Sequence, residues 1–405
     1  MDVVFLSAAY PPEMQEYTRG LAEVGARVYG VGDQPREALP AALKKYLHDW
    51  LTVPRILDEE DVGARVHAWL RGRNVDRVLA NWEPLVYMAA RLRERFGMPG
   101  MSSDTVRGFR DKQLMKERVA AAGLRVPRSA RVRTAVEARA AAEAVGFPLV
   151  FKPIAGAGSA DTYRCDTAAE LEDALARAGH VAEASVEEYV DGEEFTFDTV
   201  CVDGRPAFEN VAQYLPKPLV ARTDESLSPV IVTVRDLAQP KLAGGIALGR
   251  AVLGALGMGS GFTHMEWFLT PGGDAVFGEI GCRPGGAHLV DQMNFTCDGD
   301  LFREWARAVC HGKVETPPAR KYNCGIVFKR ARGHGRVTRI EGLTEWRREC
   351  GEWVCVEALL PVGTRRRNWK NTLLSDGHLI VRHPDWSEAL RMCDAAARDV
   401  TMYAE

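Results

Sequence analysis

A chain of 405 residues, 46% apolar and 26% charged, has room for roughly two to four packed units and the composition of an ordinary globular enzyme. Its formal net charge of −3 gives no electrostatic reason to expect nucleic acid or an anionic membrane as partner. Nine scattered cysteines with no C-x-x-C pair argue against a disulfide framework and a zinc site, and fit a cytoplasmic enzyme with buried thiols.

The N-terminus, MDVVFLSAAYPPE, has an acidic second residue and no cationic region before its short apolar run. It reads as a buried first strand and not as a signal peptide. No window is apolar for long enough to span a bilayer. The first hundred residues alternate: strand at 3–7, helix at 13–24, strand at 27–31, helix at 61–71, strand at 77–80, helix at 85–96. Such alternation predicts a parallel sheet covered by helices. The turn after the first strand lacks G-x-G-x-x-G, which disfavours a dinucleotide site there.

Helices are predicted at 111–122, 137–145 and 168–178, with strands at 148–152 and 185–189. Residues 194–201 alternate as a strand, a long helical stretch covers 237–256, and strands follow at 263–269 and 275–280. The order predicts antiparallel strands facing a helical layer. Residues 213–236 are polar and weakly periodic and read as a mobile loop near the substrate. From about 321 onward short strands and turns lead to a last helix at 387–399. GALGMGSG at 254–261 follows a helix and not a strand, so it reads as a helix exit and not a nucleotide loop.

Four features carry chemistry, in this order: Lys112 in RDKQLMKE, Lys152 in PLVFKPIAGAGSADT, the turn VEEYVDGEEF, and the pair Glu266 (THMEWF) and Glu279 (FGEIGCRPGG). Each suits one part of a nucleoside triphosphate. Two lysines on separate elements place point charges against its phosphates. The small residues 155–159, with Gly156, Gly158 and Ser159, let backbone amides fold over them. Strand-edge backbone at Glu188, Tyr189 and Val190 can bond the adenine edge, and Glu194 the ribose hydroxyls. Two inward carboxylates among apolar neighbours need a cation, and Mg²⁺ (or Mn²⁺) bridging phosphates is the natural one. Arg283, four residues past Glu279, falls beside the transferred phosphoryl group.

This order of motifs resembles the ATP-grasp superfamily from about residue 100 to 312, and GEIGCRPGGAH is most similar to its carboxylate–amine ligases, the type of the L-amino-acid ligases. The resemblance implies mixed α/β and α+β architecture. An N-terminal Rossmann-like α/β domain (1–105) would precede a small lid with its linker helix (106–195). A larger antiparallel-sheet subdomain (196–318) and a C-terminal α+β part packed on it (319–405) would follow. It matches Lys112 and Lys152 to the phosphate lysines, and Glu187, Tyr189 and Val190 to the adenine hinge. It also matches Glu194 to the ribose carboxylate, Glu266 and Glu279 to the metal ligands, and Arg283 to the catalytic arginine. Many members have asparagine where this chain has Gly281, which leaves the number of metal ions open, and Ala160-Asp161 departs from the usual glycine-rich loop.

The implied reaction uses ATP to make an acyl phosphate from a small carboxylate and passes the acyl group to an amine, with a homodimer common in the family. Carboxylation through carboxyphosphate, ligation to a thiol, a small-molecule kinase and a non-catalytic nucleotide-binding protein are the rival readings. His264 and His288 flank the presumed centre as substrate contacts or structural histidines. Trp267 reads as core, and the basic run 365–367 with Lys370 as a solvated face or a lure for an acidic substrate.

Overall fold

The computed structural model describes residues 1–154, 161–315, 319–370, 372 and 374–405. The N-terminal part runs β1 (Asp2–Leu6), α1 (Met14–Glu23), β2 (Arg27–Gly32), α2 (Ala41–Lys44), β3 (Leu47–Thr52), α3 (Glu59–Trp69), β4 (Arg77–Leu79) and α4 (Val86–Phe96). Its four strands form a parallel sheet in the order β3-β2-β1-β4. Val3, Val4, Phe5 and Leu6 are all fully buried, as a central parallel strand covered on both faces requires. Asp58 caps α3 by accepting from the Asp61 amide, so that helix starts two residues before its predicted position. The edge strand β3 was not foreseen, because LHDWLT mixes charged and apolar residues without clean alternation.

Two short helices, α5 (Ser103–Gly108) and α6 (Lys112–Ala121), lead to a small four-stranded sheet. Its elements are β5 (Ser129–Val132), α7 (Ala135–Val145), β6 (Leu149–Pro153), β7 (Tyr163–Cys165), α8 (Ala168–Arg177) and β8 (Ala184–Glu188). The strand order is β5-β8-β6-β7, all antiparallel. Thr134 and Thr167 cap the two helices, which lay their apolar faces over this sheet.

The main sheet begins with β9 (Glu193–Val202), β10 (Arg205–Leu215), α9 (Pro218–Ala221), β11 (Val230–Thr233), α10 (Pro240–Leu256), β12 (Gly261–Leu269) and β13 (Ala275–Gly281). It continues through α11 (Leu289–Cys297), α12 (Leu301–His311), β14 (Asn323–Phe328), β15 (Arg332–Gly333), β16 (Val337–Glu341), α13 (Leu343–Cys350) and β17 (Val354–Leu359). The chain ends with β18 (Gly377–His383), α14 (Trp386–Asp399) and β19 (Thr401–Ala404). Eight strands form one antiparallel sheet in the order β13-β12-β9-β10-β11-β14-β18-β17, and β15, β19 and β16 form a small separate one.

The segment expected to be a loop, 213–236, therefore holds a strand in the middle of the largest sheet. VIVT at 230–233 is buried at every residue, yet four residues are too few to show a period. No helix among the described residues is long and apolar enough to cross a membrane.

The N-terminal sheet is joined to the main one by an apolar cluster in which Tyr17 of α1 meets Phe262, Phe302 and Trp305 edge-on. On the back of the main sheet, α10 comes so close that a Cβ at Gly245 would overlap the Trp267 ring, and one at Gly249 the Phe197 ring. Both rings are fully buried. Alanine usually gains about 1 kcal/mol over glycine inside a helix, but here overpacking, at about 1–3 kcal/mol, wins. Gly249→Ala is expected to lower the melting temperature by several degrees, measured by thermal unfolding; an unchanged or higher value would contradict the close approach.

Candidate active site

Strand register places the site. On β12, Glu266 lies opposite Thr196 of β9 and Glu279 of β13, and His264 lies opposite Asp198 and Gly281. Directly paired residues of antiparallel strands share a face. One face thus carries Glu266, Glu279, His264 and Asp198, while Trp267 and Phe197 fill the core behind it.

Glu279 Oε2 is 3.4 Å from Lys112 Nζ and 3.9 Å from Lys152 Nζ. Lys112 is the first residue of α6, whose start is fixed by Asp111 accepting from the Gln113 and Leu114 amides. Lys152 projects from β6 and also meets Glu187 Oε2 at 2.9 Å. Elements of both sheets and the linking helix therefore converge on one point. The predicted residues Lys112, Lys152, Glu187, Glu266 and Glu279 are brought together.

Glu187 is buried between Lys152 and Lys116. Burial favours its neutral form, but the two ammonium groups outweigh it and hold the carboxyl at about 2. Burial brings Lys116 down to about 8 despite Glu187 beside it. Lys152 is pushed above the usual lysine range: burial opposes this, and Glu187 and Glu279 prevail. Lys116, one turn after Lys112 on the same helix, was missed, its i, i+4 spacing being only a weak signal.

Glu194, on β9, is buried, and both burial and the neighbouring Glu266 push its carboxyl well up. Glu266 is held below the usual range: burial resists, while His264 and the other cations prevail. Tyr214 donates its hydroxyl to Glu266 Oε1 at 3.2 Å. His264 reaches about 9, because Asp198 at 2.6 Å outweighs burial. His288 instead bonds Asp291 at 2.7 Å and stacks on His378.

Arg283 forms an ion pair with Glu83 of the N-terminal part, which also pairs with Arg110. Burial would raise Glu83, but the two guanidinium groups hold it at about 2. Glu83 lies 200 residues from Arg283, so no local pattern could name it as the partner.

The hinge after β8 divides its side chains. Glu188 turns outward to Arg125 at 2.7 Å and Arg128, its amide bonds the Arg128 carbonyl, and the Tyr189 amide bonds the Pro148 carbonyl. The Tyr189 ring lies under the Arg164 guanidinium at 4.2 Å, and Val190 is buried. Gly156, Gly158 and Ser159 lie outside the described residues.

Among the described residues no group of three or more histidine, cysteine, aspartate or glutamate side chains is arranged to hold a metal. Two paired carboxylates are nevertheless what Mg²⁺ takes from a protein when phosphate oxygens and water complete its shell. Three carboxylates, Glu194, Glu266 and Glu279, on one face of three adjacent strands also fit an added cation.

The chain resembles known proteins in sequence and in fold. The ATP-grasp N-terminal domain model matches residues 22–100, and the model of the carbamoyl-phosphate synthase L chain ATP binding domain matches residues 111–193. An L-arginine-specific L-amino acid ligase of Bacillus subtilis is 27% identical over 221 residues, 53% of this chain and 52% of that protein. The chain thus spans about half the length of this curated relative. The crystal structure of an L-amino acid ligase from Bacillus licheniformis superposes with a TM-score of 0.75 at 18% identity, covering 100% of this chain and 98% of that one. N5-carboxyaminoimidazole synthetase from Staphylococcus aureus, complexed with ADP, gives 0.72 at 14%, covering 97% and 96%. These solved structures share the fold.

Glu187→Gln would leave two buried lysines facing an uncharged amide, at a cost of about 3–5 kcal/mol. Because its folded pKa is depressed, the Glu187 contribution is present above the ordinary glutamate value and is lost as pH falls toward about 2. Denaturant unfolding at neutral and acid pH should show the variant weaker at neutral pH and less sensitive to acid. Equal stabilities at neutral pH would refute the pairing.

Proposed function

We propose, for a chain that carries ATP-grasp domains in the ATP-grasp fold, that it is an ADP-forming carboxylate–amine ligase. The observation that carries this reading is the convergence of Lys112 and Lys152 on Glu279, beside Glu266 and near the Arg283–Glu83 pair. That set offers cations for phosphates, carboxylates for Mg²⁺ and a guanidinium for a developing anion.

In this reading Lys112 and Lys152 take the phosphates of ATP, and Glu187 with Lys116 fixes the direction of Lys152. Tyr189 and Val190 form the adenine hinge with the Glu188 backbone, and Glu194 meets the ribose. Glu266 and Glu279 hold Mg²⁺ (or Mn²⁺), which supplies charge neutralisation for the transferred phosphoryl group. A substrate carboxylate oxygen attacks the γ-phosphorus, the bond to the β-phosphate oxygen breaks, and ADP is released. An amine nitrogen then attacks the carbonyl carbon, phosphate leaves, and the nitrogen gives its proton to solvent. Arg283, oriented by Glu83, faces the charge that builds on the phosphoryl and acyl oxygens. The small sheet, with Lys152, closes over the main one and excludes the water that would hydrolyse the acyl phosphate.

The sequence and fold likeness to L-amino acid ligases supports an amine as acceptor and an amino acid as one substrate. The likeness to a carboxyaminoimidazole synthetase supports a second reading, carboxylation through carboxyphosphate. The test is ADP and phosphate release from Mg²⁺-ATP with pools of amino acids, small carboxylic acids and bicarbonate, with mass analysis of products. Expected is release that needs two substrates and yields an amide, and falls at least about a hundredfold in Glu279→Gln, as loss of a transition-state charge contact does. Release that needs bicarbonate in place of a carboxylic acid, with a carboxylated acceptor as product, would replace ligation by carboxylation.

A further inference from the structure

Behind Glu266 sits a buried polar pair that the chemistry above leaves without a task. Asp198 is 2% exposed, on β9, directly across from His264 of β12. Its Oδ1 is 2.6 Å from His264 Nδ1, and its Oδ2 accepts from the Thr196 hydroxyl at 2.7 Å and the Asn210 side-chain amide at 3.0 Å. Three partners from three adjacent strands fix the plane of this carboxylate. A fully buried carboxylate is costly, and an apolar residue of the same size would fill the space without that cost.

The other ring nitrogen, His264 Nε2, stands 3.7 Å from Glu266 Oε1, the same oxygen that accepts the Tyr214 hydroxyl. Gly285 packs against the ring so closely that a Cβ there would be 3.1 Å from His264 Nδ1. The third neighbour in the row, Gly281 of β13, has no side chain with which to steer Glu266. The ring is thus held on one side by Asp198 and turned toward Glu266 on the other.

We propose that Asp198 is a positioning residue, which through His264 holds the Glu266 carboxylate in place for a divalent cation. The proposal rests on the reading of Glu266 as a metal ligand. A ligand carboxylate steered from behind by an ion-paired partner binds its ion more tightly, because less freedom is lost on binding. In this chain His264 of β12, backed by Asp198 of β9, steers Glu266 beside the Tyr214 hydroxyl of β10, where the β13 position is a glycine.

The experiment titrates the full chain with Mn²⁺ in the presence of ADP, followed by electron paramagnetic resonance, and separately measures ADP binding in chelator. Asp198→Asn and His264→Gln are each expected to weaken Mn²⁺ binding by about ten- to a hundredfold, while metal-free ADP binding stays unchanged. The double variant is expected to lose no more than either single one, because the two residues act in series. Glu266→Gln serves as the control that removes the ligand itself. Should Asp198→Asn fail to fold in thermal unfolding, His264→Gln carries the same test from the middle of the row. Mn²⁺ binding as tight as in the native chain would overturn the proposal, and so would metal-free ADP binding that falls in step. A Glu266→Gln chain that binds Mn²⁺ normally would overturn the ligand reading with it. Neither measurement involves an acyl or amine substrate, so failure of the ligase reading would appear elsewhere.

Discussion

Carboxylates gathered on one face of a sheet repel each other, and everything around this site answers that repulsion. Glu194, Glu266 and Glu279 lie on β9, β12 and β13, which pair through backbone hydrogen bonds, and they cannot move apart without breaking the sheet. Compensation must come from other parts of the chain. Lys112 arrives on the helix before the small sheet, Lys152 on the small sheet itself, and His264 from within the row. Burial first, and Glu266 beside it second, push the Glu194 carboxyl up against the pull of the nearby lysines.

That constraint also gives the domains a reason to meet. Glu187, held by Lys116 and Lys152, ties the small sheet to the helix that precedes it. Glu83 reaches from the N-terminal part to Arg283 just beyond β13 and pairs with Arg110 as well. Glu187 and Lys116 are shielded from water, so removal of one partner strands the other in a medium of low polarity, while Glu83 and its two arginines keep partial contact with solvent. The apolar seam of Tyr17, Phe262, Phe302 and Trp305 adds contact area, but the charged pairs set which atoms face the site.

Much of this was legible in the residues. Lys112 stood out at the start of a helix and Lys152 near the end of an apolar strand, and Glu266 and Glu279 stood out as carboxylates set among apolar strand residues. The long periodic elements were equally plain. What escaped had short or mixed signals: β11 is four buried residues inside a polar stretch, and β3 alternates charged and apolar residues irregularly. Lys116 carried a weak signal, since a second lysine one turn on usually marks a solvated face. Asp198 was visible only as one residue of an alternating strand, and nothing local separated it from a surface carboxylate.

By itself, then, the amino-acid order determined the alternation of strands and helices, the start of α6 to within one residue, and the residue types able to serve phosphates and a divalent cation. These follow from local preferences, capping and the period of apolar residues, all of which act within a few positions. Only the tertiary structure decided which charges meet. Strand register put Glu266 opposite Glu279 and His264 opposite Asp198, and chain crossings put Glu83 on Arg283 and Lys116 on Glu187. Register is a property of two strands taken together, and an ion pair 200 residues apart is a property of the folded whole, so neither can be read along a single line of residues.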